Sequence, residues 1–161
     1  MPVVISDTSP VRVLIHLGHV DWLRELFGEV LVPPAVAAEL RNPPARLEAL
    51  DVSAWAFLVV RSPTDLRRVS ELRSLLDAGE AEAIALAEEL DADLVLVDES
   101  AGREVARQCG LTVLGSLGIL VRAKQRRLCP SVAPLLDRLQ DELNFFVSSG
   151  LRKAILRQAG E

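Results

Sequence analysis

Two short apolar runs each end in a carboxylate: Val3-Val4-Ile5-Ser6-Asp7 and Leu94-Val95-Leu96-Val97-Asp98. Continuous apolar runs of this length read as strands buried on both faces, the condition of strands in a parallel sheet. In open α/β sheets, ligands gather just beyond the carboxyl ends of the strands. Two acids at that position predict one acidic crevice, which suits a hard divalent cation.

The segments around these runs alternate in type. Ser9 can cap a helix with Pro10 at its first position. The apolar period from Val13 to Phe27 then predicts helix up to Gly28, with a break at Gly18. Glu29 to Val32 reads as a second strand, and Pro34 to Arg41 as a helix that Asn42-Pro43-Pro44 stops. Ala54 to Arg61 is a short strand or an irregular apolar segment. Helix is predicted for Thr64 to Leu76 and for Glu80 to Leu90. After the strand Asp93 to Asp98 comes a helix from Ser100 to Gln108, closed by Gly110. Thr112 to Leu114 is a strand, and helix follows from Ser116 to Arg126, Pro130 to Leu143 and Leu151 to Ala159, with Phe145 to Val147 as a short edge strand. Strands alternating with helices imply a parallel sheet covered on both faces.

The 161 residues, half hydrophobic and a quarter charged, suit one domain over residues 1–161 with a proper core. No apolar run approaches the ~20 residues that span a bilayer. The first residues lack the basic start and long apolar stretch of a signal peptide, so a cytoplasmic location is expected. Cys109 and Cys129 are too few for a four-ligand zinc site, and His16 and His19 lie far from both. Trp22, Trp55, Phe145 and Phe146 are candidates for core or interface. A net charge of −5 argues against an extended surface that coats nucleic acid, which is normally basic. It leaves room for an enzyme that grips a short stretch of nucleic acid through a metal and a few local cations.

Four carboxylates stand out by position. Asp7 and Asp98 end strands, where each also has the simpler reading of a helix cap. Glu80 shares a helical face with Ala83, Ile84 and Ala87, where an unpaired charge is costly; it also suits the positive end of a helix dipole. Glu82 points about 200° around the wheel, as a solvated residue would. Glu39 lies in the short helix after Pro33-Pro34 and could equally be solvated.

In this order, Ile5-Ser6-Asp7-Thr8-Ser9-Pro10, Val32-Pro33-Pro34-Ala35-Val36-Ala37-Ala38-Glu39-Leu40, Gly79-Glu80-Ala81-Glu82-Ala83-Ile84-Ala85-Leu86-Ala87 and Leu94-Val95-Leu96-Val97-Asp98-Glu99 resemble the successive motifs of PIN-domain proteins. Gly110-Leu111-Thr112-Val113-Leu114-Gly115-Ser116-Leu117-Gly118 resembles a segment of one branch, known mainly as predicted nucleic-acid-binding proteins. The resemblance implies a three-layer α/β/α sandwich with a central, mainly parallel sheet. It implies a ribonuclease whose acidic cluster binds Mg2+ or Mn2+ and cleaves RNA phosphodiester bonds. Many small members are toxins of toxin–antitoxin pairs, the VapC type, and commonly dimerise. An RNA substrate, a small antitoxin protein and a homodimer are therefore the implied partners. On this mapping Asp7, Glu39, Glu80 and Asp98 match the four family acids, catalytic and metal-binding, and Ser9 matches the small hydroxyl residue beside the metal.

The chain departs from the pattern at Glu80, where the toxins usually carry Asp. Glu99 follows Asp98, and strand alternation lets only one of the two point cleanly inward. Candidate RNA-phosphate contacts are Arg12, Arg103 and Arg107, and Lys124 and Arg126 in the run Arg122-Ala123-Lys124-Gln125-Arg126-Arg127; that run is also what a solvated helix end looks like.

Other acid-bearing α/β sites fit less well. A haloacid-dehalogenase-like phosphatase needs a second Asp where Ser9 stands. A phosphorelay receiver needs an adjacent acidic pair, which Ser6-Asp7 does not supply. No dinucleotide fingerprint or phosphate-binding G-x-x-x-x-G-K motif occurs. The second functional reading is a PIN-fold module that binds RNA or protein with little or no turnover. Metal titration separates the two, because a binder need not hold Mn2+ through Asp7 and Asp98.

Overall fold

Alternation along each strand decides which face of a sheet its side chains enter. A computed structural model describes all residues from Met1 to Glu161. Its strands β1 (Val4–Ser6), β2 (Val30–Val32), β3 (Leu58–Val60), β4 (Leu94–Leu96) and β5 (Val113–Leu114) form one parallel sheet in the order β3-β2-β1-β4-β5. Val4, Val30, Val32, Leu94 and Leu96 enter the larger core on one face. Ile5, Leu31, Val95 and Val97 enter the smaller core on the other.

The larger core is closed by helices α1 (Thr8–Leu17), α2 (Asp21–Phe27), α3 (Pro34–Arg41), α7 (Ser116–Gln125), α8 (Ala133–Leu143) and α9 (Ser149–Gln158). The opposite face is covered by α4 (Leu66–Arg73), α5 (Ala78–Leu90) and α6 (Ser100–Gln108). The result is the expected α/β/α sandwich. No helix is long and apolar enough to cross a membrane.

The chain runs outward from β1 through β2 to β3, then crosses to β4 and continues to β5. Strand order therefore reverses between β1 and β4, the switch point where such sheets bind ligands. Asp7 lies one residue past β1 and Asp98 two residues past β4. The backbone N–H of Asp7 donates to the carbonyl of Leu96 at 2.9 Å, which ties the two strand ends together.

The break at Gly18 is real: Gly18 adopts φ 77° and caps α1, and α2 restarts at Asp21. Other expectations shift. The first helix starts at Thr8 with Asp7 at the N-cap, so Ser9 lies inside the helix and is not its cap. The segment Ala54 to Arg61 resolves into a 3-10 turn at Val52–Ala54 followed by β3. The expected edge strand at Phe145 to Val147 does not form. Asn144 ends α8 in the left-handed region, and the Phe145 N–H turns back onto the Leu139 carbonyl at 3.0 Å. Glu82 is not simply solvated: its carboxylate accepts the Ala35 N–H at 3.1 Å and so satisfies an orphan donor at the start of α3. Trp22 is buried and Trp55 half-buried, whereas Phe146 is 83% exposed.

Candidate active site

The site is built from the end of β1, the first turns of α1 and α5 and the last turn of α3. Asp7 is buried, at 5% exposure, where β1 passes into α1. Glu39 projects from α3, fixed by the Thr8 hydroxyl at 2.5 Å and the Gly79 N–H at 3.1 Å. Gly79, in the first turn of α5, explains how the two acids approach each other. A Cβ at this position would stand 3.0 Å from Asp7 Oδ1 and 2.8 Å from Glu39 Oε1. Only a glycine leaves room for both carboxylates.

α5 begins with a capping box that sequence inspection missed. Asp77 accepts the Glu80 N–H at 2.9 Å, and Glu80 Oε1 accepts the Asp77 N–H at 3.4 Å. The pattern Asp77-Ala78-Gly79-Glu80 is the sequence signature of such a box and could have revealed it. The other oxygen of Glu80, Oε2, is buried without any hydrogen-bond partner. It packs against Gly102 of α6, where a Cβ would overlap it.

Asp98 has a different set of partners. Its Oδ1 accepts the Ser116 N–H at 2.6 Å, and its Oδ2 accepts the hydroxyls of Ser116 at 2.6 Å and Ser9 at 2.7 Å. It thus anchors the N-terminus of α7 to α1, where a carboxylate suits the helix dipole. Ser116 is fully buried, and no local pattern marks it as a partner of Asp98. Ser9, expected beside a metal, donates its hydroxyl to Asp98. Arg103 and Asp98 flank Gly115, with the Arg103 guanidinium reaching the Val97 carbonyl at 3.4 Å.

A cavity of about 570 Å³ opens beside these groups. Asp7, Glu39, Asp77 and Glu99 line it; Asp98 and Glu80 do not. Of the adjacent pair after β4, Glu99 is therefore the one that faces the cavity. Arg12 lies on the same wall, its guanidinium donating to the carbonyls of Glu48 at 2.9 Å and Leu40 at 3.3 Å. Arg46, which sequence inspection passed over, also lines the cavity and is exposed. Lys124 and Arg126 are not part of this site. Lys124 pairs with Glu161 at 3.2 Å, and Arg126 reaches the Glu25 carbonyl at 3.5 Å.

Electrostatically the acids are left unbalanced. The structure contains ion pairs elsewhere, but none engages Asp7, Glu39, Asp77, Glu80, Asp98 or Glu99. The Asp7 pKa rises to about 8, chiefly because burial disfavours its charge. The Thr8 backbone N–H pulls the other way, and the charges of Asp77, Glu80 and Glu39 add to the rise. Burial lifts Glu80 to about 7, with the charge of Asp77 the next cause. Burial is thus the first cause that shifts both carboxyl groups at this end of the sheet toward their protonated forms.

The donor set suits a hard cation: it is all oxygen, two carboxylates meet over Gly79, and Glu80 keeps one unpartnered buried oxygen. As the side chains stand, no three of the chain's His, Cys, Asp and Glu residues are arranged to hold a metal ion. Each of Glu39, Asp98 and Glu80 Oε1 is held by hydrogen bonds instead. What fits a divalent ion is the donor chemistry, carboxylate oxygens of Asp7 and Glu39 converging over Gly79.

No curated protein matches this chain. A family model described as a PIN domain matches residues 3–161. That match spans nearly the whole chain, contains all four motif acids, and agrees with the parallel sheet and its acidic switch point. The chain belongs to the PIN-domain family, a nuclease-type fold that typically uses divalent metals.

Proposed function

We propose that this chain is a Mg2+- or Mn2+-dependent endoribonuclease whose cation is held by Asp7 and Glu39, with Glu80 and Asp98 completing the acidic cluster. The observation that carries this reading is the pair at the switch point: Asp7, buried, and Glu39, half-buried, converge over Gly79, and neither pairs with a cation of the chain. Burial raises the pKa of Asp7 and Glu80 in the free protein, and strongly shifted carboxyl groups clustered in a cleft mark a functional site. A hard divalent cation bound there supplies charge neutralisation at the scissile phosphate and lowers the pKa of a water.

The residues have separable tasks. Asp7 and Glu39 bind, Glu39 being held in place by the Thr8 hydroxyl and the Gly79 N–H. Asp98 orients the N-terminus of α7 and the Ser9 hydroxyl beside the acids. Glu80 Oε2 offers a proton site or a ligand oxygen under Gly102. Arg12 keeps donors free of its two carbonyl contacts, and those can face a phosphate.

The test is cleavage of single-stranded RNA. Activity should vanish with EDTA, return with Mn2+ or Mg2+, and fall about 100-fold or more in Asp7→Asn. Cleavage that survives both chelation and Asp7→Asn would sink the mechanism. As a toxin of a toxin–antitoxin pair and half of a homodimer, roles the family implies, the chain should arrest growth when expressed in an Asp7-dependent way and run as a dimer in light scattering. A second reading, an RNA- or protein-binding module without turnover, draws on the absence of a ready three-ligand arrangement. It predicts RNA binding that is indifferent to metal and never followed by cleavage.

A further inference from the structure

The cavity beside the acids has a second end, and its chemistry differs. A neighbouring cavity of about 340 Å³ shares Arg12, Arg46, Leu47 and Leu143 with it but none of Asp7, Glu39, Asp77 or Glu99. The two cations therefore line both cavities, with Glu142 beside them. Glu142, which also lines both, is already occupied by Arg138 at 2.9 Å and His16 at 3.4 Å. The lining of the first cavity also includes Pro43, Pro44 and Phe145, together with Asn144 and with Asn42, whose amide nitrogen donates to the Ala38 carbonyl at 3.1 Å and leaves its oxygen free. An apolar wall with an aromatic ring, flanked by amides and bordered by guanidinium groups, is the environment in which proteins hold an unstacked base of single-stranded nucleic acid. The volume suits a group of that size.

From this we infer that the Phe145 end of the cavity is a base-binding subsite. One unpaired nucleobase stacks on Phe145 and the proline wall, the amides of Asn42 and Asn144 address its edge, and Arg12 and Arg46 take the phosphates leading away from the acids. The inference rests on the nuclease reading for the class of strand that enters, and it names a specificity element of that same site. It explains why an acidic protein needs no extended basic surface: grip comes from one stacked base and two local cations.

The experiment uses single-stranded RNA pentamers and their analogues made abasic at each position in turn, with binding followed by fluorescence anisotropy in Ca2+. One abasic position should weaken binding to the wild type by about 5- to 100-fold, the range of one base–aromatic stack. Phe145→Leu, which keeps apolar bulk against the core, should bind the intact and abasic pentamers alike, and Phe145→Trp should restore the difference. Asn144→Gly keeps the positive φ of 52° that this position requires and removes only the amide. It should flatten the preference among A, C, G and U pentamers while leaving abasic affinity unchanged.

An abasic penalty that persists in Phe145→Leu, or no penalty at any position, overturns the subsite. Failure of every pentamer to bind also overturns it and leaves a protein as the occupant. The two readings fail separately. Asp7-dependent cleavage untouched by Phe145→Leu removes the subsite alone, whereas a Phe145-dependent abasic penalty without any cleavage removes turnover alone.

Discussion

Asp7 is the residue on which the electrostatics turn. Its folded pKa of about 8 stands far above the ordinary 3.8. Between those values the folded chain holds a proton that the unfolded chain has released, so stability falls as pH rises through that window. A tenfold difference in proton affinity between the two states is worth about 1.4 kcal/mol. In EDTA, Asp7→Asn should therefore gain stability over the wild type between pH 4 and pH 8, on the order of a few kcal/mol in denaturant titrations. Excess Mn2+ should reverse that gain by stabilising only the wild type. A difference between the two proteins that does not change with pH would show that Asp7 is not the desolvated acid described here. Asp7, Asp98 and Glu80 stood out in the sequence because strand ends and helical faces can be read from local pattern, whereas Glu39 rested on the family resemblance and Asp77 on the cavity was missed. The partners of the acids were not legible: Ser116 reaches Asp98 across 18 residues and Thr8 reaches Glu39 across 31. Nothing in a local pattern singles out a hydroxyl that serves a remote carboxylate.

At the level of elements, α5 does the most to shape the site. Asp77 caps it, Glu80 closes its box, and Gly79 between them lets Asp7 and Glu39 approach. Gly79 has ordinary helical backbone, so alanine there should favour the helix by up to about 1 kcal/mol. The new Cβ would meet the ends of flexible side chains, which can move at little cost. Gly79→Ala should then leave the melting temperature close to wild type while weakening Mn2+ binding about 10-fold or more by calorimetry. Unchanged Mn2+ affinity in a folded Gly79→Ala protein would remove this glycine from the site. The order of elements was legible from hydrophobic period, but their ends were set by contacts from elsewhere in the chain. Glu82, solvated by the helical wheel, in fact caps α3 from α5. Phe145 to Val147 has strand-like composition, yet the positive φ of Asn144 and the return of Phe145 onto α8 direct it to the cavity wall.

Across the whole molecule, topology decides which charges meet. Reversal of strand order between β1 and β4 places the end of β1, the start of α5 and the acid on α3 around one cavity. The same topology removes Lys124 and Arg126 from it. α7 starts at the acidic end, where Ser116 binds Asp98, and ten residues of helix carry its last turn about 15 Å away. By sequence, both strand-end acids, Asp7 and Asp98, belong in one crevice; the structure instead groups Asp7 with Glu39 on the cavity and turns Asp98 toward α7. The most direct test of the central claim is an anomalous-scattering map from crystals soaked in Mn2+. The account predicts a peak within ligating distance of both the Asp7 and Glu39 carboxylates, next to Gly79. A map with no peak there, or with Mn2+ bound only at other acidic residues while Asp7 and Glu39 keep their present hydrogen bonds, would contradict it.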